Sequence, residues 1–506
     1  MLARIAALPM FVLLIGLSGL AMAVPTVHAL IVGDGVSARG FGYTALLTLV
    51  LFAFLAVATA NRAPRLDIRS QLLTLSGTYA ALPFLLAWPM AEAMAQDLSY
   101  WRAVFDMVSA ITTTGAPTLP LNATPSSVHL WRAEVAWLGG FFIWVTAIAV
   151  LAPLNLGGFE VTGTGAPGRG SERFVQFGQG PGPGARLRRY TARLFPVYAG
   201  LTGALWIALI AAGDPPLVAL IHAMSTLSTS GLSPLGGPGS AASGIVGEVI
   251  IIVFLIFALS RLTFATEERT DGYRTLLGDP ELRLGLTIIA VLPVLLFLRH
   301  WAASFDADEA GTILEGLLGL WGTIFTTASF LTTTGWVSGD WLSALAWSGL
   351  ETPGLILMGL ALFGGGVATT AGGVKLLRVF ALYKHGLREM EKLVQPSSIG
   401  GSGQTARRFR REGAYMAWIF FMIFALTIAV VWLALAFTGV GFEEALVLTL
   451  ASLTNCGPLI DAATARPIDL ETLAPAAKTV MAAAMVLGRL ETLALIALLN
   501  PDFWRG

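Results

Sequence analysis

Ser109-Ala-Ile-Thr112-Thr113-Thr114-Gly115 recurs three more times along this chain. The copies are Ser225-Thr-Leu-Ser228-Thr229-Ser230-Gly231, Ser329-Phe-Leu-Thr332-Thr333-Thr334-Gly335 and, most divergent, Ser452-Leu-Thr454-Asn455-Cys456-Gly457-Pro458. Their glycines stand 116, 104 and 122 residues apart. Each copy lies between apolar runs of about 20 residues, the length that crosses a bilayer. Self-similarity at a long period marks a repeated structural unit. Each unit reads as an outer span, a short helix, a hydroxyl-rich turn ending in glycine, and an inner span. The expected fold is therefore an all-α membrane protein: four covalently linked span–pore-helix–span repeats around a pseudo-four-fold pore, preceded by two extra N-terminal spans.

Composition agrees with that reading. Of 506 residues, 55% are hydrophobic and 12% charged, about half the charged share of a soluble domain. So much apolar surface requires lipid to cover it. The formal net charge is zero, which offers no basic face for nucleic acid. A single cysteine, Cys456, excludes an intramolecular disulfide and a multi-cysteine metal site. No HExxH or GxSxG motif is present, so no enzyme is expected and no cofactor in this chain. The GQGPGPG run and Gly372-Gly373-Val-Lys375 both fail as phosphate loops, for want of a preceding strand and of a Lys-Ser/Thr pair.

Spans are expected near Ala7–Ala29, Gly42–Ala60, Gln71–Met94, His129–Leu154, Leu194–Ala212, Gly244–Thr263, Leu282–Leu298, Tyr415–Phe437 and Thr479–Leu499. A longer segment, Trp341–Lys384, reads as one inner helix broken at Gly364–Gly373. The N-terminal run reads as a first span rather than a cleaved leader. The expected divisions are a two-span hairpin at 1–65, a first pore repeat at 66–160, a linker at 161–190, and further repeats at 191–270, 271–390 and 391–506. Four loops hold most of the arginine and lysine, among them Arg186, Arg188, Arg189, Arg193, Lys384, Arg388 and Lys392. The opposite side has only scattered Arg39, Arg102, Arg132, Arg299 and Arg466. The positive-inside rule then puts those four loops and both termini in the cytoplasm.

The repeated turn has a chemistry. A monovalent cation in hydrocarbon loses its water shell, at a cost on the order of tens of kcal/mol unless other ligands replace it. A ring of backbone carbonyls does so without the tight grip of carboxylates. Glycine permits φ > 0, which turns successive carbonyls to one side, and small Thr and Ser let four strands approach an axis. The short helices would aim their negative ends at the ion path.

Together with Phe363-Gly364-Gly365-Gly366-Val-Ala-Thr369-Thr370-Ala-Gly372-Gly373-Val-Lys375 and Gly488-Arg489-Leu490-Glu491, these motifs resemble the Trk/Ktr/HKT superfamily of cation transporters. Within it, the two extra N-terminal spans resemble the membrane subunits of bacterial Trk potassium-uptake systems, of TrkH/TrkG type. The resemblance covers essentially the whole chain; the TNCG of the fourth copy departs from the hydroxyl triplet. It implies a K+ selectivity filter at Thr112, Thr113, Thr114, Gly115, Ser228, Thr229, Ser230, Gly231, Thr332, Thr333, Thr334, Gly335, Thr454, Asn455, Cys456 and Gly457. Glycine ending all four turns implies K+ over Na+, since Na+-preferring relatives often carry serine in the first. It implies an intramembrane gate at Gly364, Gly365, Gly366, Thr369, Thr370, Gly372, Gly373 and Lys375, with Arg489 beneath the filter hindering ion flow. Implied partners are K+ ions, membrane lipid, a second copy in a homodimer, and a cytoplasmic TrkA-type nucleotide-binding regulatory subunit. The implied location is the bacterial inner membrane.

Three further expectations come from the residues. Asp106 and His222 hold matching places before the first two turns. Asp106 either adds negative potential at the mouth or, the reading preferred, braces the short helix; His222 reads as a structural donor. Lys375 and Arg378 either snorkel or tune the gate. Against uptake through a channel-like pore stands an alternating-access symporter coupled to Na+ or H+. That would show inverted repeats and a buried acid in a broken helix, whereas here the repeats read as parallel and their cores as uncharged.

Overall fold

The computed structural model describes residues 8–60, 68–94, 98–154, 158–161, 183–260, 278–303, 313–348, 350, 352–395, 411–464 and 468–490. Every regular element among them is helical, and seven helices are long and apolar enough to cross a membrane.

The first two, Met10–Val32 and Gly35–Thr59, form a hairpin. Its turn follows from local chemistry. Gly33 takes φ 82°, and Asp34 caps the second helix by accepting the Val36 and Ser37 amides at 3.2 and 3.1 Å, which satisfies donors that a helix start leaves orphaned. Phe41 then meets Trp131 edge-on, with ring centroids 5.9 Å apart, joining the hairpin to the first repeat.

The four repeats follow in the expected order. Their outer helices are Ile68–Ala93, Pro183–Ala211, Pro280–Ala303 and Arg411–Phe437; their short helices are Tyr100–Ile111, Pro216–Ser228, Ile313–Leu331 and Phe442–Leu453. The inner helices begin at Ser126, Gly244, Trp341 and Pro475. Burial separates the layers. The apolar stretch of Ser126–Leu151 is 78% buried, whereas that of Gly413–Phe437 is 22% buried, so the latter turns most of its side chains outward from the chain. The second half of each short helix is enclosed, as with the unbroken buried run Ala103–Ile111.

Three boundaries differ from the sequence reading. The second outer helix begins at Pro183, inside the expected linker, because proline suits a helix's first turn and the Arg-rich stretch after it favours helix. The third inner helix breaks twice rather than once, into Trp341–Ser348, Pro353–Phe363 and Leu376–Val394. Proline drives the residue before it out of helical space, and Thr352 sits at φ −125°, ψ 64°. The second inner helix gives way to a 3-10 turn, Ile256–Leu259, and reaches an extended Ser260, with the expected end at Thr263 outside the described residues. The last inner helix is described as Pro475–Leu490. The rest of the Thr479–Leu499 span, Glu491, both termini and most of the expected linker lie outside the described residues.

Candidate functional site: a ring of four turns above an intramembrane loop

Each turn begins where a short helix ends, and all four end alike. The first hydroxyl folds back onto its helix: Thr112, Ser228, Thr332 and Thr454 donate to the carbonyls of Val108, Met224, Ala328 and Leu450 at 2.7, 2.8, 2.9 and 2.7 Å. The second residue turns left-handed, at φ 53° in Thr113, 52° in Thr229, 58° in Thr333 and 53° in Asn455. The third donates its amide five residues back, from Thr114 to Ser109, Ser230 to Ser225, Thr334 to Ser329 and Cys456 to Ala451, over 2.8–3.0 Å. A positive φ is uncommon for residues other than glycine. Four such residues at one repeat position indicate a conformation imposed by the surroundings rather than by the side chain.

The four turns meet. A Cβ placed on Gly115 would stand 1.7 Å from the Ser230 carbonyl oxygen, so the first and second turns touch through backbone. The Trp336 indole donates to the Gly231 carbonyl at 2.8 Å, joining third to second. The Cys456 sulfur lies 2.9 Å from where a Gly335 Cβ would be, joining fourth to third. The Gly457 amide donates to the Thr114 carbonyl at 2.6 Å, and the Asn455 amide nitrogen reaches the Thr114 hydroxyl at 3.0 Å. That closes the ring. The turns therefore share one axis, although the Thr114 and Gly231 carbonyls each already accept one hydrogen bond.

The sequence reading credited glycine with the left-handed backbone. Gly115, Gly231 and Gly335 do take φ 68°, 67° and 81°, but Gly457 does not. The residue two places earlier carries the feature in all four copies and went unnoticed. Cys456 is fully buried and keeps the backbone hydrogen bond of its counterparts.

The broken stretch 364–375 lies directly against one end of this ring. Gly364, Ala368, Gly373 and Lys375 all have positive φ. The ends of the loop are stitched together by the Val374, Lys375 and Leu376 amides, which donate to Leu362, Phe363 and Gly365. Its middle touches every repeat. Thr370 donates to the Leu227 carbonyl at 3.1 Å and pairs with Thr229, and the Gly372 amide donates to the Thr333 hydroxyl at 2.8 Å. A Cβ on Gly372 would lie 1.9 Å from the Thr454 carbonyl oxygen. Arg489 completes the set, donating Nη1 to the Thr370 carbonyl at 2.7 Å and Nη2 to the Thr113 hydroxyl at 2.6 Å. The residue before it explains how Arg489 comes so close. A Cβ on Gly488 would meet the Leu453 carbonyl oxygen at 2.2 Å, so only glycine lets this helix press on the end of the fourth short helix.

Beside the loop, Thr226, Leu227, Thr369 and Thr370 line a small cavity of about 20 Å³, walled further by Trp144, Tyr198, Phe254 and Phe257. Neither Lys375 nor Arg378 snorkels. Lys375 donates to the Ala371 carbonyl within the loop, and Arg378, fully buried, donates to Val374 and stacks 3.5 Å over the Phe420 ring.

The repeat cores are not uncharged. Arg132, counted with the scattered outer arginines, is buried inside the first inner helix and grips Asp106. Its Nε donates to both carboxylate oxygens at 3.1 and 2.9 Å, and its Nη2 donates to Asp106, to the Ala116 carbonyl and to Thr118. Asp106 thus braces the backbone just after Gly115, as preferred. His222 matches it by pairing with Ser233 at 2.8 Å. Glu248, placed in the second repeat as Arg132 is in the first, accepts from Trp321, Ser338 and the Gly339 amide at 2.8, 2.7 and 2.8 Å. Glu134, 7% exposed, is a further buried acid. The 17-residue spacing from the turn glycine to Arg132 and to Glu248 was the available signal. Breaking a buried pair by removing one partner costs about 3–5 kcal/mol. Arg132→Ala should therefore lower the melting temperature in detergent by many degrees, whereas Asp106→Leu combined with Arg132→Met should recover much of the loss. A double variant no better than the single one would contradict a paired brace.

This geometry has counterparts. The chain is 29% identical over 494 residues to the Trk system potassium uptake protein TrkH of Salmonella typhimurium, covering 96% of each. It is 26% identical over 431 residues to the Trk system potassium uptake protein TrkG of Escherichia coli, covering 83% of this chain and 82% of that protein. It superimposes on the crystal structure of the potassium transporter TrkH from Vibrio parahaemolyticus with TM-score 0.80, 26% identity and both chains fully covered. The TrkH family, described as cation transport proteins, matches residues 203–502, more than half the chain. A multi-span helical membrane protein of four look-alike repeats, this chain belongs to the TrkH family of cation transport proteins, a family of transporters and not of enzymes.

Proposed function

We propose that this chain takes up K+ across the bacterial inner membrane as the membrane subunit of a Trk-type system. The observation that carries the reading is the closed ring of four turns, alike in hydrogen bonding and in φ at the second residue. Carbonyl and hydroxyl oxygens from Thr112–Gly115, Ser228–Gly231, Thr332–Gly335 and Thr454–Gly457 replace the hydration shell of a passing ion. Four short helices end at that ring and contribute negative potential. The loop 364–375 with Arg489 is the gate at its inner end. An inward-negative membrane potential drives the ion with about 2.3 kcal/mol per charge per 100 mV. The arginine-rich loops and both termini face the cytoplasm, where a TrkA-type nucleotide-binding subunit docks on a homodimer with one pore per protomer.

The test is growth of a potassium-uptake-deficient bacterium on low K+, followed by flux into liposomes. Growth should be restored, and K+ and Rb+ should enter far faster than Na+. Buried Glu134, whose Oε2 accepts no hydrogen bond among the described residues, favours the second reading, a symporter coupled to H+. Under that reading an imposed pH gradient would drive K+ uptake at zero membrane potential and Glu134→Gln would abolish it; under the first, neither holds.

A further inference from the structure

The loop 364–375 is held at the ring and also away from it. Thr370 and Gly372 reach the turns, whereas Gly366 and Val367 are tied to the second and third repeats at Ala258, Leu259 and Glu281. The Gly366 amide donates to the Ala258 carbonyl at 2.9 Å, and a Cβ on Gly366 would stand 2.5 Å from the Leu259 carbonyl oxygen. The next amide, Val367, donates to Glu281 Oε1 at 2.8 Å, across 86 residues. Glu281 is 1% exposed and sits in the first turn of Pro280–Ala303.

The start of that helix is built to carry an acid. Its amides form a positive end that favours a carboxylate, and Asp279 caps it, accepting the Glu281 amide at 3.3 Å while the Asp279 carbonyl accepts from Arg283. Asp279 also receives the hydroxyl hydrogen bond of Ser260, the residue after Leu259. The two anchors of the loop, one from the second repeat and one from the third, are thus clipped to each other. Between this anchor and the ring lies Ala368 at φ 53°, so the loop crosses the gap in a conformation that its sequence does not favour.

We propose that Glu281 is a positioning residue that latches the gate loop in place beneath the ring, with the Ser260–Asp279 clip setting the position of the latch. The proposal rests on reading 364–375 as the gate. A carboxylate acceptor makes a stronger hydrogen bond than a neutral one. Removing it leaves a buried amide unsatisfied only while the loop stays in place, so the balance moves toward the displaced loop.

The experiment is Rb+ and Na+ flux into liposomes holding the full chain alone. Glu281→Ala should raise Rb+ flux about tenfold, the equivalent of one hydrogen bond to a charged group, with the Rb+ to Na+ ratio unchanged. Glu281→Gln, which keeps an acceptor oxygen, should raise it less. Ser260→Ala, which removes the clip's hydroxyl and leaves the acceptors of the Gly366 and Val367 amides in place, should raise it about two- to threefold, a fraction of the same bond energy. A purely structural Glu281 would lower flux and melting temperature together. Rb+ flux at or below that of the unaltered chain in both Glu281→Ala and Ser260→Ala overturns the latch. A chain lacking residues 366–371 separates this failure from failure of the gate itself. If the deletion raises flux and the point variants do not, the gate stands and the latch falls; if none raises it, both fall.

Discussion

Arg489→Ala is expected to raise Rb+ flux through liposome-reconstituted protein by roughly one to two orders of magnitude, with little change in the preference for Rb+ over Na+. The guanidinium donates to Thr113 in the first turn and to Thr370 in the loop, which under the proposed function is where an ion leaves the ring. A fixed charge about 5 Å from a passing cation, at an effective dielectric of about 20, opposes it by about 3 kcal/mol, on the order of a hundredfold in rate. Under the same proposal the loop 364–375 still obstructs the path in this variant, which sets the lower end of the range. Arg489→Lys keeps the charge but not the two-pronged reach, and should fall between. An intramembrane arginine is costly to bury, about 2.5–3.5 kcal/mol at the bilayer centre on insertion scales. The alanine variant should therefore insert and fold at least as well, and unchanged flux in well-folded protein would remove Arg489 from the gate.

Gly231→Ala should have the opposite effect, reducing K+ uptake to the background of the deficient strain. Gly231 takes φ 67°, which an alanine adopts only with strain, and its Cβ would lie 2.1 Å from the Thr334 carbonyl oxygen of the neighbouring turn. One methyl group would thus push apart two of the four strands that enclose the axis. Gly200→Ala is the matched control, since nothing lies within 4 Å of its Cβ position. It should leave uptake unchanged and, within a helix, favour the fold slightly. Uptake surviving Gly231→Ala at the level of Gly200→Ala would mean that ions do not pass between the second and third turns.

Much of this arrangement was legible in the chain itself, because its main signals are periodic. Four copies of one hydroxyl-glycine string between apolar runs set the number of repeats, and the glycine- and threonine-rich interruption Gly364–Gly373 marked the loop. What remained hidden was pairing across long separations. Nothing local to Arg132 says that its partner is Asp106 rather than water at a membrane face, and nothing near Glu281 points to an amide 86 residues away. The left-handed Thr113, Thr229, Thr333 and Asn455 were hidden for another reason. Threonine is not a residue expected at positive φ, and nothing in a hydroxyl run marks the helix-ending turn whose next amide closes five residues back. The second break at Thr352–Pro353 was the reverse case, a local signal in plain view that the apolar run around it concealed.

The most direct measurement is the anomalous scattering of Rb+ or Tl+ in crystals of the protein grown or soaked with either ion. Peaks strung along the axis between Thr112–Gly115, Ser228–Gly231, Thr332–Gly335 and Thr454–Gly457 are the expected result. Ions found at a buried carboxylate such as Glu134, with none between the four turns, would contradict it.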